Sequence, residues 1–377
     1  MPERRRFTRV LDALPATVPF VAPDAIERRT GRPLRVRLGA NESMFGSSPR
    51  ARRAMADALD RVSCYADPES FELRTALAAR LSTTREHVVV GSGIDDLLGL
   101  TVRAFVEPGE PVVTSLGGYP TFAYEVLGRG GVLHRVPYRD DRNDLDGLLD
   151  EARRCGARML YLANPDNPSG SWHRGADVER LVSRLPEGCV LLLDEAYVDF
   201  APPDSTPSID PDDARVIRMR TFSKAHGLAG ARVGYAVTAA ETIAAFEKIR
   251  AHFGVNLVGQ AGALASLQDE AFVDAVVRAV AEGRDEYARL AAELGLAALP
   301  SATNFVAIDL GTQPRARRAL ELLLERDVFV RMPTAPPLDR CIRVSVGRPE
   351  QRAEFTAALR AILAEGALDR VAPPATT

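Results

Sequence analysis

Between residues 50 and 240 the chain alternates short runs of β-branched and apolar residues with longer stretches of helical apolar period. The short runs predict strands over His87–Gly91, Pro111–Ser115, Gly131–Val136, Arg158–Leu162, Val190–Asp194, Ala214–Arg220 and Val233–Val237. Between several of them the period predicts helices, over Ile94–Phe105, Leu145–Cys155 and Ala176–Leu185. Strands that are apolar on both faces and alternate with helices predict an α/β fold, a mainly parallel sheet covered on both sides. In such sheets ligands gather beyond the C-terminal strand ends, so the residues that follow the strands are where chemistry is expected.

From Glu241 to about Leu294 the pattern is helical, with a break near His252–Asn256. After Leu299 come strand patterns at Asn304–Ile308, Val328–Arg331 and Cys341–Val346, with a helix over Arg315–Arg326. These predict a second, smaller α+β unit. Pro15, Pro19 and Pro23 mark an extended N-terminal arm, and the tail after Ala367 reads as disordered. The expected division is a large domain over 45–285 and a small domain built from 1–44 and 286–377. No internal repeat is visible.

Composition narrows the function classes. The 377 residues are 46% hydrophobic and 26% charged, the balance of a soluble globular protein, and the net charge is −3. Nothing in that charge argues for nucleic acid or an anionic membrane surface as a partner. The Glu3-Arg4-Arg5-Arg6 cluster has no apolar run after it, and runs such as Val190–Leu193 are too short to span a bilayer. Cys64, Cys155, Cys189 and Cys341 are scattered, which predicts reduced thiols and a cytoplasmic location. His87, His134, His173, His226 and His252 show no metal spacing and read as structural, so no metal is expected. Lysine occurs only at Lys224 and Lys248, while arginine carries the remaining positive charge. Arginine cannot form a Schiff base, so a retained lysine merits inspection.

Four strings follow strands and carry polar groups. Thr221-Phe-Ser-Lys224-Ala-His-Gly-Leu-Ala-Gly-Ala-Arg232-Val-Gly-Tyr235 places a lysine at a strand end, suited to an imine with a carbonyl cofactor. Its Arg232 suits a phosphate, because the planar fork donates two parallel hydrogen bonds. Val190-Leu-Leu-Leu-Asp194-Glu195-Ala-Tyr197 ends a buried strand in an acid that can cap a helix, bind a metal or pair with a protonated ring nitrogen. Asn164-Pro-Asp-Asn167-Pro-Ser-Gly170 reads as a Pro-rich turn or as the carrier of a donor to a cofactor's phenolic oxygen. Gly91-Ser92-Gly93-Ile94-Asp95 is a glycine-rich strand-to-helix turn whose N–H groups favour an anion. Tyr119 and Tyr124 read as packing residues.

These strings resemble the fold-type I pyridoxal-phosphate (PLP) aminotransferases, most closely the histidinol-phosphate aminotransferase group. The resemblance runs from about Leu38 to Arg348 and includes Leu38-Gly-Ala-Asn41-Glu42, Tyr65-Ala-Asp-Pro68, Pro120-Thr-Phe122 and Cys341-Ile-Arg343-Val-Ser-Val-Gly347. It implies that Lys224 forms the Schiff base with the cofactor and shuttles the substrate proton. It implies that Asp194 pairs with the pyridine nitrogen, that Asn167 and Tyr197 hold the phenolic oxygen, and that Phe122 stacks on the ring. Ser92, Gly93, Ser223 and Arg232 would bind the phosphate, with Tyr65 reaching the phosphate of a neighbouring subunit. Arg343 would clamp the substrate carboxylate or phosphate, Arg331 would meet a second anionic group, and Asn41 would border the substrate. Two stretches depart from the family, Ser43-Met44 after Asn41-Glu42 and Ala251-His252-Phe253-Gly254. The implied reaction moves an amino group from a small amino donor to a 2-oxo acid in a homodimer with shared sites. Decarboxylation, as in the related threonine-phosphate decarboxylases, or amino-acid oxidation uses the same scaffold. A non-enzymatic sensor is the third reading.

Overall fold

A computed structural model describes residues 7–14 and 22–368 of the chain. Pro15, Pro19 and the tail from residue 369 lie outside the described residues. The strands are β1 (Val36–Arg37), β2 (Val88–Gly91), β3 (Pro111–Ser115), β4 (Val132–Val136), β5 (Met159–Ala163) and β6 (Val190–Asp194). They continue with β7 (Val216–Thr221), β8 (Gly234–Val237), β9 (Ala297–Ala298), β10 (Phe305–Asp309), β11 (Val328–Phe329) and β12 (Cys341–Ser345). Seven of them form the main sheet in the order β2-β8-β7-β6-β5-β3-β4. Its pairings are parallel except for those of β8, which runs against both neighbours.

Strand pleating explains how one apolar run feeds two cores. Val190 and Leu192 of β6 face a cluster with the helices Ile94–Phe105 and Pro120–Arg129, whereas Leu191 and Leu193 face the helices Leu145–Cys155 and Gly175–Ser183. Each fully buried leucine of this strand contributes about 2 kcal/mol. The period-2 arithmetic also puts Asp194 on the face of Leu192, with the first set of helices.

The C-terminal part builds its own core around β12-β10-β9 and the helices Gln313–Glu325 and Pro349–Ala364. The 24-residue helix Glu270–Glu293 lays Val273, Val276, Val280 and Tyr287 into that core, so the boundary expected at residue 285 falls inside one continuous helix. The sequence between β8 and this helix is broken as expected: Asn256 starts a new helix by accepting the Gly259 N–H at 2.6 Å. β1 pairs with β11, and the chain then continues along the small unit, with Ser345 N donating to Leu38 O at 2.8 Å. That pairing carries the N-terminal segment to the site. The extended arm expected there is instead helical over Arg9–Ala13 and Pro23–Thr30, because Pro23 sits at a first helical position that needs no N–H.

Candidate active site

The C-terminal ends of β5, β6 and β7, the start of the helix after β2, and the small unit together enclose a cavity of about 590 Å³. It is of the size that holds a cofactor with a small substrate. β6 delivers Asp194, β7 leads through Ser223 to Lys224, the turn after β5 presents Asn167, and the small unit adds Arg331 and Arg343.

Lys224 Nζ donates to the Asn41 carbonyl at 3.0 Å and lies 5.6 Å from the Tyr197 ring centre. Burial, reinforced by the Arg343 guanidinium, lowers its amine to about 8. Asn41 adopts a left-handed backbone (φ 54°), donates its amide to the Tyr197 hydroxyl at 2.9 Å, and is anchored by Ser345 Oγ at 3.0 Å. Burial pushes the Tyr197 phenol up to about 12.

Asp194 is 5% exposed. Its Oδ2 accepts from the Tyr161 hydroxyl at 2.7 Å and its Oδ1 from Ala196 N at 3.0 Å. Among the described residues no arginine, lysine or histidine forms an ion pair with it. Burial therefore dominates and raises its carboxyl to about 6. The adjacent Glu195 behaves oppositely: Arg218 and Arg220 enclose it and hold it below the usual carboxylate range despite its burial.

Arg232 has a left-handed backbone (φ 56°) and donates to Ala229 O at 3.1 Å, with Ser223 Oγ and Asp95 Oδ2 each at 3.5 Å. At Gly93 a φ of +84° favours glycine, and a Cβ there would push the Arg232 guanidinium aside. Ser92 and Gly93 form the turn, while the next two residues, Ile94 and Asp95, are the ones that line the cavity. With the helix N-terminus beneath it, Arg232 forms one side of a cup for an anion.

Arg343 donates to Asn167 Oδ1 at 2.6 Å and to Gly39 O at 3.3 Å, and its buried Nε has no hydrogen-bond partner. Burial lowers its guanidinium to about 10, still charged at neutral pH. Arg331 exchanges backbone hydrogen bonds with Arg343, so the two side chains enter the cavity side by side. The Asn164–Gly170 turn that positions Asn167 is held by the buried Asp166, which accepts from Ser169 N and Oγ and from Tyr138.

Thus Asn41, Asn167, Asp194, Tyr197, Ser223, Lys224, Arg232, Arg331 and Arg343 meet in one cavity, although they come from all parts of the chain. Four expected residues do not line it: Ser92 and Gly93, which form the turn behind Ile94 and Asp95, and Phe122 and Tyr65. Phe122 is 1% exposed and stacks on Tyr161 with ring centres 4.4 Å apart, because helix Pro120–Arg129 turns it into the core. Tyr119, one residue before that helix, lines the cavity instead and donates to Asp95 Oδ1 at 3.0 Å. Tyr65 lies outside its own chain's cavity, 83% exposed, with its ring 4.7 Å from Phe253. Tyr161 and Asp95 escaped the sequence reading, although a tyrosine within the apolar β5 was a usable signal. Neither family departure lines the cavity: Ser43-Met44 leads to the small unit, and Phe253 is exposed beside Tyr65. Away from the cavity, donor atoms of His134, Glu151 and Cys155 lie within 4.8 Å of one another, but Arg154 already holds Glu151.

A profile of the aminotransferase class I and II family matches residues 35–359. The chain belongs to that family. It is 33% identical over 360 residues to histidinol-phosphate aminotransferase 2 of Carboxydothermus hydrogenoformans, covering 94% of this chain and 98% of the other. It is 36% identical to histidinol-phosphate aminotransferase of Roseiflexus castenholzii, over 90% and 93% of the two chains. The crystal structure of histidinol-phosphate aminotransferase from Sinorhizobium meliloti in complex with pyridoxal-5'-phosphate superposes with a TM-score of 0.92 at 47% identity, covering 97% and 99%. The family's activity is PLP-dependent transamination, the activity and cofactor that the sequence implied. Its α/β fold with a mostly parallel sheet is likewise the fold of this chain. Among the described residues no helix is long and apolar enough to cross a membrane.

Proposed function

We propose that this chain moves an amino group from a phosphorylated amino donor of the histidinol-phosphate kind to a 2-oxo acid, as a cytoplasmic homodimer. The observation that carries the reading is a single cavity lined by the Lys224 amine, the buried Asp194 carboxylate and two guanidinium sites, Arg232 and the pair Arg331 and Arg343. One site suits the cofactor phosphate and the other the anionic group of the substrate.

The residues present fit pyridoxal phosphate. Asp194 is a buried acid that no cation among the described residues pairs with, the partner that a protonated ring nitrogen needs. Arg232, Ser223 and the helix start at Ile94 suit its phosphate, and Tyr197 and Asn167 its phenolic oxygen. Tyr119 takes the ring-covering place that the resemblance gave to Phe122. When bound, the cofactor supplies an electron sink that acidifies the hydrogen on the donor's α-carbon. Lys224 Nζ, a free amine for much of the time near pH 8, holds the cofactor at rest and then moves that proton. Asp194 keeps a proton on the ring nitrogen, and Arg343 orients the donor through its anionic group, with Arg331 alongside.

The free thiols of Cys64, Cys155, Cys189 and Cys341 suit a reducing cytoplasm. The dimer reading is supported by Tyr65, which is exposed beside Phe253 and outside its own chain's cavity. The activity test is a panel of amino acids and histidinol phosphate, each with 2-oxoglutarate, monitored for glutamate formation. Histidinol phosphate should be the best donor. Release of carbon dioxide or uptake of oxygen in place of glutamate would overturn the reading in favour of decarboxylation or oxidation.

A further inference from the structure

Asp194 needs a fixed direction as well as a charge, and only half of that direction is set locally. The Ala196 N–H that reaches Oδ1 comes from two residues along the chain and leaves the other oxygen free to swing. Oδ2 is fixed from the neighbouring strand, by the Tyr161 hydroxyl at 2.7 Å. We propose that Tyr161 is a positioning residue for Asp194, holding the carboxylate as an oriented acceptor for a protonated ring nitrogen. The inference rests on the PLP reading of the site.

Register accounts for the contact. Ala163 of β5 pairs with Asp194 of β6, so Tyr161, two residues earlier on the same face, is its diagonal neighbour. Alanine opposite the acid leaves room for the phenol to reach across. The Tyr161 ring is pinned by its stack on Phe122, at an interplanar angle of 17°, and is 2% exposed. Phe122 therefore acts two contacts away from the acid, as the buttress of the ring that orients it. Burial, with Asp194 next, pushes the Tyr161 phenol well above its ordinary range, so it stays a donor at every working pH. The other charges that act on Asp194 are Asp95 and Glu195. Glu195 is already enclosed by two arginines, and Asp95 by Tyr119 and Arg232. Tyr161 is therefore the only side-chain hydrogen-bond donor to Asp194 among the described residues.

The test uses Tyr161→Phe, Asp194→Asn and the double variant in the full-length protein, with PLP itself as the probe. Cofactor-free protein is titrated with PLP, and the dissociation constant is read from absorbance. Removing a hydrogen bond to a buried charge should weaken PLP about tenfold in Tyr161→Phe. Asp194→Asn should weaken it at least as much, and the double variant no further, because Tyr161 then has no carboxylate to hold. A second reading needs no cofactor. The pH at which Asp194 titrates, taken from the stability of each protein relative to its Asp194→Asn counterpart, should rise by about one unit in Tyr161→Phe. An unchanged PLP affinity in Tyr161→Phe, fully additive losses in the double variant, or an unmoved titration would each overturn the role. Failure of the wild-type protein to take up PLP would overturn the functional reading, and the inference with it.

Discussion

Lys224 differs from an ordinary surface lysine in its amine, which burial lowers to about 8 from the usual 10.5. The free-amine fraction at Lys224 should thus rise with pH around 8. Borohydride reduction of the PLP-loaded protein followed by peptide mapping should find the label on Lys224. Label on Lys248 would refute the assignment, and Lys224→Ala should abolish turnover while leaving a folded protein. Asp194 shifts the other way, up from 3.8 to about 6, because burial penalises its charge. The cofactor-free fold is thus favoured by neutral Asp194 below about pH 4, an advantage lost as pH rises through 6. Asp194→Asn, permanently neutral, should gain about 3 kcal/mol on the wild type across that window, read from urea unfolding at pH 4 and pH 7. With cofactor present, Asp194→Ala should instead lose about 100- to 1000-fold in rate. A variant with near-normal activity would make Asp194 structural. At this scale the sequence was legible where a residue type was scarce or ended a strand, as Lys224 and Asp194 do. It was not legible where the outcome depended on rotation: three aromatic residues within Tyr119–Tyr124 offer three candidate rings, and only the helix orientation turns Phe122 inward and leaves Tyr119 at the cavity.

Elements convert these residues into a site through strand ends. The central strands of the main sheet were legible because runs such as Val190–Asp194 are apolar on both faces, whereas the edge strand β4 is partly exposed. Their edges slipped where a polar residue prolongs the run. His87 belongs to a short 3-10 turn before β2 and bonds Asp212, and Arg215 pairs with Asp213 before β7 begins. Less legible was the convergence of Asn41, Arg331 and Arg343, since it depends on β1 pairing with β11 across almost 300 residues. The turn after β2 shows how an element sets a binding site. Gly93 has φ +84° and leaves no room for a Cβ beneath the Arg232 guanidinium. Gly93→Ala should therefore strain the turn by about 1–2 kcal/mol and displace Arg232, weakening PLP about tenfold or more. Thermal unfolding with PLP titration separates the two effects. An unchanged PLP affinity would mean that Arg232 does not hold the phosphate.

For the whole molecule, the exposed side chains suggest what the single chain leaves uncovered. Tyr65 and Phe253 stack on each other at the surface, with Val62 and Ile249 also exposed nearby in the sequence. The two segments are tied together, because Arg250 donates to Pro68 O at 2.7 Å and Gln260 to Asp67 O at 3.0 Å. An exposed aromatic pair held this firmly is a candidate contact surface. If a second copy covers it and Tyr65 reaches the neighbour's phosphate cup, neither subunit has a complete site alone. The holoenzyme should then sediment as a dimer at low micromolar concentration. Mixing subunits tests the sharing directly, at limiting PLP where Tyr65→Phe alone is impaired and Lys224→Ala is inactive. In a mixed dimer with Tyr65 acting across the interface, the Lys224→Ala subunit's site carries both defects. The other site keeps its own Lys224 and receives an intact Tyr65. Random exchange makes about half of the dimers mixed, so about a quarter of all sites should be unimpaired. The mixture should accordingly show more activity than the average of its two parents. If Tyr65 instead served its own chain's site, every site would carry one defect or the other, and the mixture would equal that average. A fully active monomer would exclude the shared arrangement outright.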